Sequence, residues 1–324
     1  MPGSPTEPLP DVTVSIISFN TRDLLRRCLE SLYRPESAAV QAAWRAAGMP
    51  LPPGRGQETV TCEVVVVDQV SLDRSAEMVA EEFPQARLIH LRKNVGFAGG
   101  NNIAFAVARG KYVLLLNTDA VARPGLIQAL VAFAEAHPRA GLIGPKVLNP
   151  DGTLQPSCRR FPTFGAGLFR NTFLGRLFPQ NRYTRAYLME EWDHTRPRQV
   201  DWLSACCLLA RREMLEAVGP MDEGYFMYFE DVDWSLRASR AGWEVWYCPS
   251  AVVLHEVGRS TDKAVRRMIV RHHLSAYRFF TKHYPNWRRP VQRVLLAAGL
   301  AVRCILTLVR NQLLQRKLRR ERRY

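Results

Sequence analysis

The sequence lacks the marks of a cross-linked scaffold. Its seven cysteines are an odd number, and none forms a C-x-x-C pair. That argues against a disulfide framework or a zinc site and fits a reducing compartment. The opening MPGSPTEPLPDV has neither a basic segment nor an apolar run, so it is not read as a secretory signal and the domain is expected to stay in the cytoplasm. There is no internal repeat and no G-x-x-x-x-G-K-[ST] loop. Acids are scarce: 30 Asp and Glu stand against 45 Lys and Arg, a net charge of +15. Between Arg288 and Tyr324, eleven Lys and Arg face the single acid Glu321, so ten of the fifteen charges sit in the tail. The body therefore lacks the basic face of a nucleic-acid-binding domain, and no nucleic-acid partner is expected. What is present is core material. With 47% of its 324 residues hydrophobic, the chain can fill one large domain or two modest ones, and global disorder is excluded.

Apolar runs and helical spacings alternate over the first 120 residues. VTVSIIS (12–18), CEVVVVD (62–68), ARLIHLR (86–92) and KYVLLLN (111–117) read as strands. TRDLLRRCLESL (21–32), capped by Asn20 or Thr21, reads as a helix; so does SLDRSAEMVAEEF (71–83), opened by Ser71 or Asp73. FAGGNNIAFAVARG (97–110) reads as a third helix, ending at Gly110, and residues 34–58 as an inserted excursion. Strands apolar along their whole length predict an α/β fold with a parallel sheet covered on both faces. Ligands on such sheets bind at the carboxyl ends of the strands. There the sequence places Ser18-Phe19-Asn20, Asp68, Asn94 and Asn117-Thr118-Asp119. Beyond residue 150 the periodicity weakens. WLSACCLLA (202–210) is apolar, 221–242 passes from a loop into a helix, and 243–258 reads as two short strands ending in His255.

Asp119, one residue past an apolar strand, can hold a hard divalent cation against a diphosphate; the alternative is a helix cap before Arg123-Pro124-Gly125. Glu230, Asp231 and Asp233 form an acidic cluster in the aromatic frame YFMYFEDVDW. Apolar surroundings raise a carboxyl pKa, which suits a general base; the alternative is an acidic first helical turn, which the dipole favours. Asp68 can accept from a base ring N–H or cap a helix. KNVGFAGGNN (93–102) can present amides and Asn side chains to phosphates. His255 taken alone is a structural histidine as readily as a ligand.

The order of these segments is more specific than any one of them. VSIISFN (14–20), VVVVDQVSLDRS (64–75), KNVGFAGGNN (93–102), LLLNTDA (114–120) and FMYFEDVDWSLRASRAGW (226–243), with His255, resemble the family-2 inverting glycosyltransferases, most closely the bacterial rhamnosyltransferase and galactofuranosyltransferase branch. The likeness spans roughly residues 12–280. It implies a GT-A fold and a hexose, rhamnose-like or galactose-like, moved from a UDP- or dTDP-linked donor to a glycan or lipid-linked acceptor in cell-envelope polysaccharide synthesis. It also implies roles. Asp68 contacts the nucleobase, and Phe19, Asn20, Asn94, Gly96 and Asn117 line the nucleotide pocket. Asp119 binds Mg²⁺ or Mn²⁺, His255 is a further metal ligand, and Asp231 is the catalytic base. Trp202, Glu230 and Asp233 are candidates for the acceptor side. Two departures stand out: Gln69 follows Asp68 where the family has Asn, and Asn117 replaces the first acid of the D-x-D. The implied division is a disordered tail over 1–11, a catalytic domain over 12–285 (nucleotide-sugar half 12–120, acceptor half 121–285) and a helix over 286–324. A sugar nucleotidyltransferase, which releases pyrophosphate, and a non-catalytic glycan- or membrane-binding scaffold are the competing readings.

In the tail, Arg289, Arg293, Arg303 and Arg310 share one arc of a helix, and Leu295, Leu296, Leu300, Ile305, Leu306 and Leu308 occupy much of the rest. Arg303 divides the apolar stretch below the ~20 residues needed to span a bilayer. An in-plane basic amphipathic helix on an anionic membrane surface is expected, at the inner face of the cytoplasmic membrane; a helix docked on the protein's own core is the alternative.

Overall fold

The computed structural model describes residues 8–51, 59–170, 172–256, 265–287 and 289–321. Most of the expected disordered tail, the end of the 34–58 excursion and the last three residues fall outside these. Strands β1 (Val12–Ser18), β2 (Cys62–Gln69), β3 (Arg87–Leu91) and β4 (Tyr112–Leu116) lie side by side in the order β3-β2-β1-β4, all parallel. Between them run α1 (Arg22–Tyr33), α2 (Ala38–Ala46), α3 (Ser75–Glu82) and α4 (Gly96–Val107). The valines of β2 show why no alternation was visible. Val64 and Val66 pack into the cluster with α1 and α3, while Val65 and Val67 pack on the other face with Ala104 of α4.

The second half is less regular. It runs through β5 (Ala120–Ala122), α5 (Leu126–Ala136), β6 (Ala140–Leu148), β7 (Cys158–Arg159), α6 (Phe164–Phe169), α7 (Phe173–Leu177) and α8 (Arg182–Leu188). Then follow β8 (Arg198–Gln199), β9 (Trp202–Leu203), β10 (Cys207–Arg211), α9 (Arg212–Val218), α10 (Glu230–Arg240) and β11 (Glu244–His255). β10 joins the sheet antiparallel to both β4 and β6, and β11 runs parallel to β6 and antiparallel to β5 and β8. The sheet is thus mostly parallel in its first half and mixed in its second. Helices α11 (Val265–His283) and α12 (Pro290–Glu321) close the chain.

Several boundaries differ from the sequence reading, each for a local reason. α3 begins at Ser75. Asp73, expected near its start, accepts there from Ser75 N at 3.2 Å, and its other oxygen accepts from Arg22 N at 2.9 Å and ties the loop to α1. Thr21 occupies the α1 cap position without a side-chain cap bond, and Asn20 adopts a positive φ of 55°. α4 stops at Val107. Gly110 lies three residues later, where a Cβ would stand 2.5 Å from Thr13 N, so its service is close backbone approach. The two strands expected over 243–258 are one strand, β11, with a register shift between Cys248 and Val252 that brackets Pro249. The seven cysteines are free.

The tail is the expected helix, and its main departure is at Arg303. Arg303 does not interrupt a solvated helix. Its guanidinium turns inward and donates to Gly167 O (3.1 Å) and Arg170 O (3.2 Å), the exposed carbonyl end of α6. Residues Pro290–Gln315 form a 26-residue apolar stretch, long enough to cross a membrane by length and composition. Val291, Val294, Leu295, Val302, Ile305, Leu306, Val309 and Leu313 are exposed. At 100° per residue they share an arc of about 120°. The apolar stripe is exposed, with one edge along the protein's cleft, and Arg303 turns into the protein.

Candidate active site

A cleft of about 1730 Å³ opens at the carboxyl end of β4 and continues to α12. Its wall holds Asn117, Asp119, Gln155, Trp202, Glu230, Asp231 and His255. Asp119 and His255, 136 residues apart, meet because β5 and β11 pair antiparallel, with Ala120 opposite His255. Glu256 N also donates to Asp119 O at 3.0 Å. His255 Nε2 then stands 3.2 Å from Asp119 Oδ1 and 3.5 Å from Asn117 Nδ2.

The proton on His255 is fixed by Gln155, whose role the sequence did not reveal. Gln155 Nε2 donates to Asn149 Oδ1 (2.9 Å) and His255 O (3.0 Å), so its Oε1 is the atom facing His255 Nδ1 at 2.8 Å. Nδ1 therefore donates, which in the uncharged ring leaves the Nε2 lone pair facing Asp119. That lone pair beside a buried carboxylate oxygen suits a divalent cation, with the Gln155 amide orienting the ring. The donor set fits a metal that takes its other ligands from phosphate and water. Among the described residues no group of three His, Cys, Asp or Glu converges.

Asp231 enters the cleft from the first turn of α10. Tyr228 and Phe229, both at φ 69°, turn the chain sharply before it. Its carboxylate accepts from Val232 N at 2.9 Å and Ala205 N at 3.4 Å. Burial pushes its pKa up to about 6, against the lowering effect of those amides and of Arg159. Burial and the charge of Asp231 raise neighbouring Glu230 further, and its Oε2 is buried without a hydrogen-bond partner among the described residues. Trp202 borders the cleft with its Nε1 donating to Arg160 O at 2.9 Å.

The strand-end residues form a separate group. In-register pairing sets Ser18 opposite Asp68. Asn20 Oδ1 accepts from Leu72 N (2.7 Å), Ser71 N donates to Asp68 Oδ2 (3.0 Å), and His90 Nδ1 approaches the same oxygen at 3.0 Å. Asp68 is fully buried, and its Oδ1 has no hydrogen-bond partner among the described residues. Gln69, the departure noted above, holds Val95 N at 2.8 Å, and Asn94 Oδ1 holds Gly96 N at 2.9 Å. Gly96 (φ +84°) must lack a side chain: a Cβ would stand 2.4 Å from Phe226 O. Phe19 is 43% exposed at the rim. Phe19, Asn20, Asp68, Asn94 and Gly96 do not line the cleft that holds Asp119 and Asp231; Phe97, next in the chain, does.

Asp233 does not belong to the site, contrary to expectation. It is fully buried on the far side of α10, where it accepts from Arg237 (2.8 Å), Lys282 (2.6 Å) and Tyr225 (3.3 Å) and faces His283 Nε2 at 2.6 Å. Burial alone would raise its pKa; the bonds from His283, Lys282 and Arg237 outweigh burial and hold it well below the carboxylate range. It anchors α10 to α11.

A sheet parallel in its first half and mixed in its second, with an acid-histidine pair and a buried carboxylate at one cleft, has the architecture of the GT-A transferases. The chain belongs to glycosyl transferase family 2, whose profile matches residues 13–219, and it is a glycosyltransferase. It is similar to the N-acetylglucosaminyl-diphospho-decaprenol L-rhamnosyltransferase of Mycobacterium tuberculosis H37Rv, 36% identical over 261 residues that cover 77% of this chain and 84% of that protein. The rhamnosyltransferase WbbL of Escherichia coli K12 is 25% identical over 195 residues, 58% of this chain and 70% of that one. Among solved structures, GalNAc-T7 with UDP, GalNAc and Mn²⁺ superposes with a TM-score of 0.53 at 16% identity, over 86% of this chain and 52% of that one. TarS 1–349 of S. aureus with UDP gives 0.50 at 15% identity, over 90% and 70%. With the two structures the likeness is one of fold.

Proposed function

We propose that the chain transfers a rhamnose-like or galactose-like hexose from a UDP- or dTDP-linked donor to a hydroxyl of a lipid-linked glycan, with inversion, in cell-envelope polysaccharide synthesis. The observation that carries this reading is the single cleft shared by the Asp119–His255 pair and Asp231. The M. tuberculosis relative, named for a diphospho-decaprenol acceptor, supports the lipid-linked substrate. The outward apolar stripe of α12 supports work at the inner face of the cytoplasmic membrane.

Each residue then has a task. Asp68 receives a nucleobase N–H on its bare Oδ1. Phe19, Asn20 and the turn at Asn94–Gly96 border the nucleotide, and Asn117 lies beside the diphosphate. Asp119 and His255 would hold Mg²⁺ or Mn²⁺, which would supply charge stabilisation to the departing diphosphate. Asp231 takes the proton of the acceptor hydroxyl. The acceptor oxygen bonds to the anomeric carbon as the sugar–phosphate bond breaks, and that electron pair leaves with the diphosphate. Glu230 keeps its proton and leaves Asp231 as the base; Trp202 offers its ring to the acceptor glycan. One displacement inverts the anomeric centre.

A panel of nucleotide sugars, assayed with Mg²⁺ or Mn²⁺ and again with chelator, tests the reading. Transfer from one donor, abolished by chelation and restored by metal, is expected. Full activity in excess chelator contradicts the assignment of Asp119 and His255.

A further inference from the structure

We infer that Arg159, Arg170 and Arg303 form a second diphosphate site, which receives the diphosphate of a polyprenyl-linked acceptor while the donor diphosphate sits at Asp119. The inference rests on the reading above that the acceptor is lipid-linked. All three arginines line the cleft that holds Asp231. They come from different elements: Arg159 ends β7, Arg170 follows α6, and Arg303 lies midway along α12.

Their guanidinium groups are held by rings and carbonyls rather than by ion pairs, although the charge of Asp231 reaches Arg159. Arg159 lies over the Trp202 ring at 5.2 Å and Arg170 over the Tyr187 ring at 5.1 Å. Arg170 also donates to Tyr187 Oη at 3.2 Å, and Arg303 donates to two carbonyls. Among the described residues none of the three has a carboxylate partner, whereas adjacent Arg160 pairs with Asp201 at 3.1 Å. Arg159 Nε is buried without a hydrogen-bond partner. Burial lowers the pKa of Arg159 and of Arg303, and the charge of Arg170 adds to both effects. The same field reaches His272 on the cleft wall, which burial, His273, Arg303 and Arg170 bring down to about 4.

Half-buried like charges that face one cavity are costly unless an anion completes them. The guanidinium fork suits phosphate oxygens. The anion is a lipid's because of what adjoins it. Arg176 and Arg310, both exposed, line the cleft together with a neighbouring pocket of about 450 Å³. Along α12 the cleft wall continues over Leu295, Val302, Leu306 and Val309, all members of the outward apolar stripe. A diphosphate seated at the arginines can thus lay its prenyl chain on that stripe and still present its sugar to Asp231. A free phosphate has no use for the stripe.

The probe is farnesyl diphosphate, titrated calorimetrically into the full chain with Mg²⁺ and saturating UDP or dTDP. Binding is expected to persist with the nucleotide present and to weaken tenfold or more in Arg170→Gln. It should weaken likewise in Arg176→Gln/Arg310→Gln, whose exposed side chains carry little of the fold. Farnesol should bind far more weakly. In turnover, the variants should raise KM for a glycan on a prenyl diphosphate tenfold or more, while KM for an alkyl glycoside of the same sugar stays put. Displacement of farnesyl diphosphate by the nucleotide, equal binding of farnesol, or equal loss with both acceptors overturns the site. Wild-type enzyme that binds farnesyl diphosphate through these arginines yet glycosylates neither acceptor upholds the site and defeats the functional reading. Turnover on the lipid with unchanged KM in the variants does the reverse.

Discussion

At His255 one hydrogen bond bears directly on the metal role proposed for it. Because Gln155 accepts from Nδ1, the uncharged ring turns its Nε2 lone pair to Asp119. Replacing Gln155 by Leu removes that orientation without touching a ligand. Loss of such second-shell partners typically costs ~10–100-fold in metal affinity. Mn²⁺ titration in the presence of nucleoside diphosphate should show a loss of that order; unchanged affinity contradicts the assigned tautomer. Asp231 carries a different expectation. Its pKa is raised to about 6, so the carboxyl keeps its proton below that pH and becomes a base above it. Turnover should rise with pH through about 6 and then level, and Asp231→Asn should cost ~10²–10⁴-fold in kcat with donor KM nearly unchanged. In the folded state the group binds its proton more tightly than in the unfolded chain, so its ionisation costs stability as pH rises toward 6. Asp231→Asn should therefore raise Tm at neutral pH while it lowers turnover. A fall in both marks Asp231 as structural. Asp119 and Asp231 were legible in the sequence because each ends or opens a strongly patterned element. Asp233 was misjudged because acid type and spacing do not report facing: two residues along a helix differ by about 200°, so Asp231 and Asp233 cannot share the cleft. Gln155 and Arg159 lie in an aperiodic stretch and reach the site through contacts distant in sequence, which no local pattern records.

At the scale of elements, the four parallel strands could be read because their valines are buried on both faces. β10 could not be oriented, since an apolar run looks the same in either direction. β11 was read as two strands because Pro249 breaks its pattern; the sheet absorbs the break as a register shift. In the tail the helix was legible but the place of Arg303 was not, because a lone arginine in an apolar helix signals a polar face only when solvent is its sole partner. Here the carbonyls at the end of α6 satisfy it. The outward stripe then makes a specific prediction. Val302→Ser, Ile305→Ser and Val309→Ser together remove exposed apolar side chains, so melting should be nearly unchanged. Binding to anionic vesicles should weaken, and high salt should weaken binding of the unmodified chain because the basic end adds electrostatic attraction. Vesicle binding equal to wild type locates the membrane contact elsewhere.

Across the whole molecule, charge and apolar surface are divided by task. Ten of the fifteen net positive charges belong to the tail, while the sheet end gathers carboxylates Asp68, Asp119 and Asp231. In the proposed reaction the parallel half provides the nucleotide end, β5 and β11 close the cation pair, and α10 delivers the base. α12 extends the same cleft toward an apolar surface. The central claim is that these parts perform one direct displacement at the anomeric carbon, with Asp231 as base and no enzyme nucleophile. NMR of the product formed from a donor of known configuration tests it most directly, with the released nucleotide identified in the same reaction. The account predicts an inverted anomeric configuration and one nucleoside diphosphate per sugar transferred. Retained configuration, or release of pyrophosphate, contradicts it.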